Sequence, residues 1–447
     1  MGVLTSMDKY AHTLKSCILN TGTVFDLATG NFLPGAKGHM ILNGGVGMTT
    51  AVTGREQTFK TTLGGGYFGR ILSNYKESEG LAYDSELSMQ GKDRIANLSG
   101  RPGDEELKSR MEFRDGTEMS MEELFETVRT IATEKLKNRK DLIRTTPFID
   151  QTGANIKAWV PTVVFTDSFS DMTSAKVQST RDEHALGDSK TNMLEMYDGK
   201  LKTDFARQMP RLCGSCGLYF ISTAHVGNNV KLDPYAPVVK NVPMMSANDR
   251  LKRVGTQYTF LSMTMIQTRK VELLQDDKNR CLFPSKDFTS DVELQKVTAF
   301  VMRCKNNVSG ASFEHVSSQF YGIQPYLDYY LIIKNCKSDM LTGTIKQQLA
   351  ITDHEFTRHD IRSLIDSDYT FARALEVLGQ FAYIRNRWNV PEIKSIGYVD
   401  FCKKLNASKT LKDEILNSTG IWSFSETPSE RPYMSILDII ELITKSR

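Results

Sequence analysis

The sequence predicts an α/β fold: a mostly parallel central sheet, a short N-terminal helical segment and a smaller α-rich C-terminal domain. From about residue 36 to 335, apolar runs of strand length alternate with stretches of helical periodicity, as in a parallel sheet with helices on its faces. After about residue 336 the strand-like runs give way to helical pattern. The division expected is therefore 1–35 as a helix and linker with a candidate role in oligomerisation, 36–335 as the core, and 336–447 as the α-rich domain.

Taken in order, residues 7–19 read as a short helix, followed by a lead-in punctuated by Gly, Asn and Pro. Met48-Thr49-Thr50-Ala51-Val52 reads as a short buried strand ending at Gly54, and Thr61 and Thr62 open a helical segment reaching Leu72. Gly80-Leu81-Ala82-Tyr83 is a strand that ends at Asp84-Ser85-Glu86. Ser120 and Glu123 have the spacing of a capping box, and Leu124, Val128, Ile131 and Ala132 recur on one helical face behind it. Val163-Val164-Phe165-Thr166 is a buried strand carrying Asp167 at its carboxyl end. A helix over 201–212 leads into the strand Leu218-Tyr219-Phe220-Ile221-Ser222, with His225 just after it. A strand is expected at 258–266, and helices at 360–365, 371–385 and 436–445.

Composition sets the class. A 447-residue chain with 40% hydrophobic and 24% charged residues can bury a large core. No run approaches the roughly 18 apolar residues of a membrane span, and residues 1–20 lack a signal peptide's apolar core, so the expectation is cytoplasmic with no membrane partner. The seven cysteines, odd in number and scattered, suit reduced thiols. Cys213 and Cys216 form the one close pair, without a second pair at zinc-ligand spacing, and read as packing. A net charge of +3 permits nucleic-acid binding without demanding it.

Gly54-Arg55-Glu56-Gln57-Thr58-Phe59-Lys60-Thr61-Thr62 spaces a glycine, a lysine and a hydroxyl as a nucleotide phosphate loop does. Between a strand and a helix, its backbone N–H groups and the helix N-terminus would face the phosphates of ATP. Lys60 would neutralise the β and γ oxygens, and Thr61 would ligate Mg²⁺. Phe59 stands where such loops usually carry a second glycine, and it is expected to fit only with a negative φ. The same residues also read as a turn glycine and a solvated lysine.

In open α/β sheets, ligands bind outside the carboxyl ends of the strands. The Gly54 loop, Glu86, Asp167 and His225 each follow a different strand and can converge on one triphosphate. There Asp167 would bind Mg²⁺ or its water, Glu86 would orient or deprotonate the attacking water, and His225 would donate to the γ-phosphate. Individually, each also reads as a solvated carboxylate or a structural histidine.

The order of this loop, Tyr83-Asp84-Ser85-Glu86, Val163-Val164-Phe165-Thr166-Asp167-Ser168 and Phe220-Ile221-Ser222-Thr223-Ala224-His225 resembles the RecA-type recombinases, most closely the UvsX-like recombinases of bacteriophages. That branch also carries phenylalanine before the loop lysine. Thr23-Val24-Phe25-Asp26-Leu27-Ala28, the run from Phe300 to Asn307, and Gly322-Ile323 resemble further family segments, so the resemblance covers roughly residues 20–335. It implies a RecA-like P-loop core and a Mg²⁺-requiring, DNA-dependent ATPase. Such a protein forms helical filaments on single-stranded DNA, pairs it with homologous double-stranded DNA, and has each site completed by the next subunit. Glu86 matches the catalytic carboxylate, Asp167 the second acidic motif, and His225 the link to the second DNA loop. Lys305 matches one of two lysines that reach the neighbour's phosphates; Asn307 replaces the other, so either Arg303 substitutes or this inter-subunit contact is weaker.

Two loops match those that hold DNA, though both also read as merely solvated loops. One, about 172–192, carries Lys176, Arg181 and Lys190. The other follows His225, reads as too irregular for an element of its own, and carries Lys231, Lys240, Arg250, Lys252 and Arg253 against Asp233 and Asp249, with Tyr235, Met244 and Met245 as base contacts. Single-strand-binding and mediator proteins are further partners the resemblance allows. A RecA-fold hexameric helicase and a non-hydrolysing structural relative stay open as other readings.

Overall fold

The computed structural model describes residues 17–89, 91–183, 194–229, 240, 242–286, 290–427 and 429–445. The chain is mixed α/β with a large, mostly parallel central sheet. Across that sheet the strands run Gly322–Ile323, Ser312–Ser318, Leu294–Cys304, Thr264–Leu273, Thr49–Gly54, Leu218–Asn228, Thr162–Asp167, Glu79–Asp84 and Met111–Asp115. From Thr264–Leu273 to Met111–Asp115 every neighbouring pair is parallel; the remaining pairs on the other side are antiparallel.

Alternation along the strands divides the apolar residues between two faces. Val163, Phe165, Tyr219 and Ile221 join one core with Leu63, Tyr67 and Phe68 of the Lys60–Asn74 helix. Val164 and Phe220 join the other with Leu124 and Val128 of the Met121–Lys137 helix and Phe205 and Met209 of the Leu194–Cys216 helix. Both faces are therefore covered, which is why Thr49–Gly54 and Thr162–Asp167 are buried along their whole length. The Lys60–Asn74 helix lies close on the sheet because of its glycines: a Cβ on Gly64 would stand 2.8 Å from the Phe165 ring. Ser120 and Glu123 form the expected capping box at the start of Met121–Lys137.

The C-terminal helices Ile361–Ser367, Tyr369–Arg387 and Ile436–Lys445 appear where periodicity placed them. Phe371, Leu375, Leu378, Ile439 and Ile443 belong to the same apolar core as the Lys60–Asn74 helix, so this region packs onto one face of the sheet. A bidentate pair between buried Arg362 and Glu293, at 2.6 and 3.0 Å, ties it there. Among the described residues no helix is long and apolar enough to cross a membrane.

Several sequence expectations are corrected. The helix expected at 7–19 lies outside the described residues up to residue 16, and Cys17 to Leu19 is not helical, Leu19 bridging Val46 instead. The strand expected at 258–266 is split: Thr256–Leu261 is a helix, begun after Gly255, and the strand starts at Thr264. Aromatic and β-branched residues there mimic a strand, but burial of Tyr258 and Thr259 selects a helical turn. Of the loop expected at 172–192, Ala175–Glu183 is helical. The segment after His225 is not wholly irregular, since Asp249–Leu251 pairs antiparallel with residues 226–228. His225 itself lies within the Leu218–Asn228 strand rather than beyond it.

Candidate active site

Sheet register brings the predicted residues to one edge. Gly54 pairs with His225, and Asp84 pairs with Asp167, all at the carboxyl ends of parallel strands. Thr61 opens the helix that starts at Lys60, and its Oγ1 donates to Asp167 Oδ2 at 2.6 Å. Ser88 Oγ donates to the same oxygen at 3.1 Å, while Thr223 Oγ1 donates to Oδ1. Asp167 is fully buried, and desolvation pushes its carboxyl up to about 6 against these hydrogen bonds. Fully buried Asp84 shapes the turn bearing Glu86, accepting from the backbone N–H of Glu86 at 3.0 Å and of Met89 at 2.5 Å.

Lys60 is 7% exposed, and its ammonium donates to the Arg55 carbonyl at 3.1 Å. Burial lowers its proton affinity, opposed by the charges of Glu86, Asp167, Glu56 and Asp171, which surround it. The loop before it is pinned by Thr58 Oγ1 donating to the Arg55 carbonyl at 2.7 Å and by Thr268 Oγ1 donating to Thr58 Oγ1 at 2.7 Å. Arg55 pairs with Asp249 at 2.8 Å, and Lys252 lies 3.9 Å from Glu56. Thr62 is buried beneath the helix start.

Phe59 is a correction. Its φ is +65°, left-handed rather than negative, and Gln57 is left-handed too at +58°. Alternation of left-handed and ordinary residues points successive backbone N–H groups inward, the concavity that binds anions. Phe59 bears that conformation while its half-buried ring packs against the apolar core.

His225 is the hub. Its Nε2 lies 2.8 Å from Glu86 Oε1 and 3.0 Å from Asp171 Oδ2. Its hydrogen bonds to Asp171 first, then Glu86, push its pKa up to about 9, so the imidazole is protonated at neutral pH. Asp171 is held at about 2, chiefly by His225. For Glu86, burial works upward, but hydrogen bonds from His225 and Ser168 outweigh it and keep the carboxylate ionised. These three ligand atoms lie within 4.8 Å of one another, a spacing that suits a metal ion as well as a shared proton. Asp171 pairs with Arg253 at 3.1 Å on its other side. The His225 backbone N–H donates to Ser170 Oγ at 2.9 Å, and its carbonyl accepts from the Lys252 backbone N–H at 2.9 Å.

The structure therefore gathers the residues from Gly54 to Thr62 with Glu86, Asp167 and His225. It also lays Arg250, Lys252 and Arg253, all exposed, alongside the His225 strand. Lys240 is exposed, as is Arg181 on the Ala175–Glu183 helix, where Lys176 lies over the Tyr197 ring. Met244 is exposed and Met245 buried; Lys190, Lys231, Asp233 and Tyr235 lie outside the described residues.

Arg303 and Lys305 are not brought to the cluster. Cys304 and Thr50 both pair with Thr264, which puts Arg303 and Lys305 at the amino ends of the strands, away from Gly54. Lys305 Nζ donates to the Leu261 carbonyl at 3.4 Å, and Arg303 lies over the Phe260 ring. Asp171, Ser88 and Thr223 were missed by sequence reasoning. Asp171 stands four residues beyond Asp167, and only the fold of that turn shows it facing His225.

No known family model matches the chain, and no curated protein matches it.

Proposed function

We propose that the chain is a RecA-like P-loop ATPase of the recombinase kind, most like the UvsX-like bacteriophage enzymes, which hydrolyses ATP on DNA and assembles into filaments. The observation that carries this reading is the meeting of Lys60, Thr61, Glu86, Asp167 and His225 at the carboxyl ends of adjacent parallel strands. Such a site offers a triphosphate an ammonium group, an anion-binding loop, two carboxylates and an imidazole.

ATP phosphates would lie along Gly54 to Thr62, in the left-handed turns at Gln57 and Phe59. Lys60 is stripped of water by burial, so its charge acts on the β and γ oxygens in low dielectric. The residues fit a divalent ion: Asp167 is a buried carboxylate contacted by hydroxyls rather than by a cation, and Thr61 Oγ1 is already at its side. Thr61 and Asp167 would hold Mg²⁺, which supplies neutralisation of phosphate charge. Glu86 would accept a hydrogen bond from the attacking water.

The same geometry supports dependence on DNA. Glu86, His225, Asp171 and Arg253 form one chain of charge contacts running from the site to the basic segment. A DNA phosphate that took Arg253 would free Asp171 to hold His225 alone and release Glu86 for the water. Arg303 and Lys305 lie far from their own chain's loop, so in this reading they would serve the site of a neighbouring copy.

The test is phosphate release with single-stranded DNA titrated in, beside electron microscopy with a non-hydrolysable ATP analogue. DNA-stimulated hydrolysis and helical filaments are expected, both lost in Lys60→Ala. Undiminished DNA-stimulated hydrolysis in that variant rejects the assignment, and closed rings reject the recombinase in favour of a helicase.

A further inference from the structure

A cleft of about 830 Å³ opens at the opposite end of the Lys60–Asn74 helix from its loop. Its walls come from that helix end, the turn at 99–102, the start of the Pro325–Asn335 helix and residues 419, 421–423, 427 and 429–431. Arg70 stands ten residues beyond Lys60 on the helix, about 15 Å at about 1.5 Å per residue, so the cleft is distinct from the strand-tip site. Its volume lies in the roughly 300–1,000 Å³ range of small-ligand sites.

Its charge is lopsided once pairing is considered. Glu376 is taken by Arg373 at 2.8 Å, Glu430 by Lys76 at 2.8 Å, and Asp366 also has a partner. Arg362, another basic wall residue, is consumed by Glu293. Arg70, Arg101 and Arg431 are three further basic residues of the wall. Arg70 donates Nη2 to the Ile323 carbonyl at 3.1 Å, and Arg431 lies over the Tyr369 ring with its guanidinium 3.7 Å from the centroid.

Donors are also left over. Trp422 lines the cleft with 0% exposure, and its indole N–H has no hydrogen-bond partner; Arg70 Nε has none either. A buried N–H without an acceptor is destabilising, and a ligand oxygen that reached it would relieve that. Half-buried Tyr321 and Tyr326 add flat rings to the wall.

We propose that this cleft is a second small-molecule site, taking a nucleoside phosphate whose phosphates meet Arg70, Arg101 and Arg431 and whose base lies against the tyrosines. Guanidinium forks match phosphate oxygens in pairs, and aromatic faces accept any base. The Trp422 indole N–H and the Arg70 Nε–H would then have acceptors on the ligand.

Titration calorimetry of the full chain carrying Lys60→Ala, with ADP as the probe, tests this apart from hydrolysis. The variant should retain one ADP site. Adding Arg101→Glu or Arg431→Glu should weaken it at least tenfold, and Trp422→Phe about threefold, with circular dichroism unchanged. In the otherwise native chain, Arg101→Glu should leave nucleotide binding at the loop unaltered. The proposal is overturned if Lys60→Ala binds no ADP, or if the charge reversals leave its ADP affinity alone. Pyrophosphate binding as tightly as ADP would refute the base contact. An oligothymidylate or acidic peptide bound through Arg101 where ADP is not would assign the cleft to a macromolecule instead.

Discussion

Replacing His225 by Gln removes the one positive group that Glu86 and Asp171 share, and its effect on stability depends on pH in a definite direction. The imidazole pKa rises from 6.5 to about 9 on folding, through its hydrogen bonds to Asp171 and Glu86. At about 1.36 kcal/mol per tenfold change in proton affinity, this corresponds to about 3.4 kcal/mol at most. With 18% of the side chain exposed, solvent screening reduces the expected figure to about 1–2 kcal/mol. Because the folded-state pKa is raised, this stabilisation is complete below pH 6.5 and disappears as pH climbs through about 9. Lys135 and Lys202 work oppositely: burial lowers both to about 8, so their contribution to stability rises with pH above that value. The difference between native chain and variant isolates the histidine. Urea unfolding followed by circular dichroism from pH 6 to 9.5 should show the two chains furthest apart at pH 6 and converging by pH 9.5. Parallel curves over that range would refute a protonated His225 between two carboxylates.

Other perturbations follow from the same coordinates. Asp171→Asn should leave His225 to Glu86 alone and reduce the DNA stimulation of ATP hydrolysis more than the rate without DNA, read by phosphate release; equal losses would deny it a coupling role. Gly54→Ala would place a Cβ 2.0 Å from Thr268 Oγ1 and 2.4 Å from Thr58 Oγ1. It should cost about 1–3 kcal/mol of stability by overpacking and weaken nucleotide binding, measured by unfolding and calorimetry. Gln57→Gly relieves an exposed left-handed residue and should raise stability by up to about 1 kcal/mol in the same unfolding assay. Arg362→Ala leaves Glu293 buried without its charge partner and should cost about 3–5 kcal/mol, seen as early loss of the C-terminal helices in hydrogen exchange.

What could be read from the sequence was what depends on long or sharply punctuated signals. Val163 to Asp167 and Leu218 to Ser222 are near-continuous apolar runs, and only strands buried on both faces need such runs, so their place in a parallel sheet was visible. Ser120 with Glu123 named a helix start because both hydrogen bonds of a capping box are local. Short elements were harder. Residues 256–261 hold strand-forming side chains, and what makes them helical is the packing of Tyr258 on Phe169, a contact invisible along the chain.

The candidate site divides along the same line. Lys60, Thr61, Glu86 and Asp167 sit at strand ends or in a loop whose spacing is written in one dimension, so the sequence alone marks them. Asp171 could not, because its meaning is relational: a carboxylate in a turn acquires a role only when the neighbouring strand carries His225 to within 3.0 Å. Phe59 makes the converse point. Its bulk argued for an ordinary backbone, yet the ring has somewhere apolar to go, and that packing offsets the roughly 1–2 kcal/mol that a left-handed residue costs. A loop can thus keep the curvature that glycine usually provides while anchoring itself to the core. The same anchor ties the shape of the turn at Gln57 and Phe59 to the packing beneath the Lys60–Asn74 helix, so mutations that loosen that packing should reach the loop before they reach the sheet.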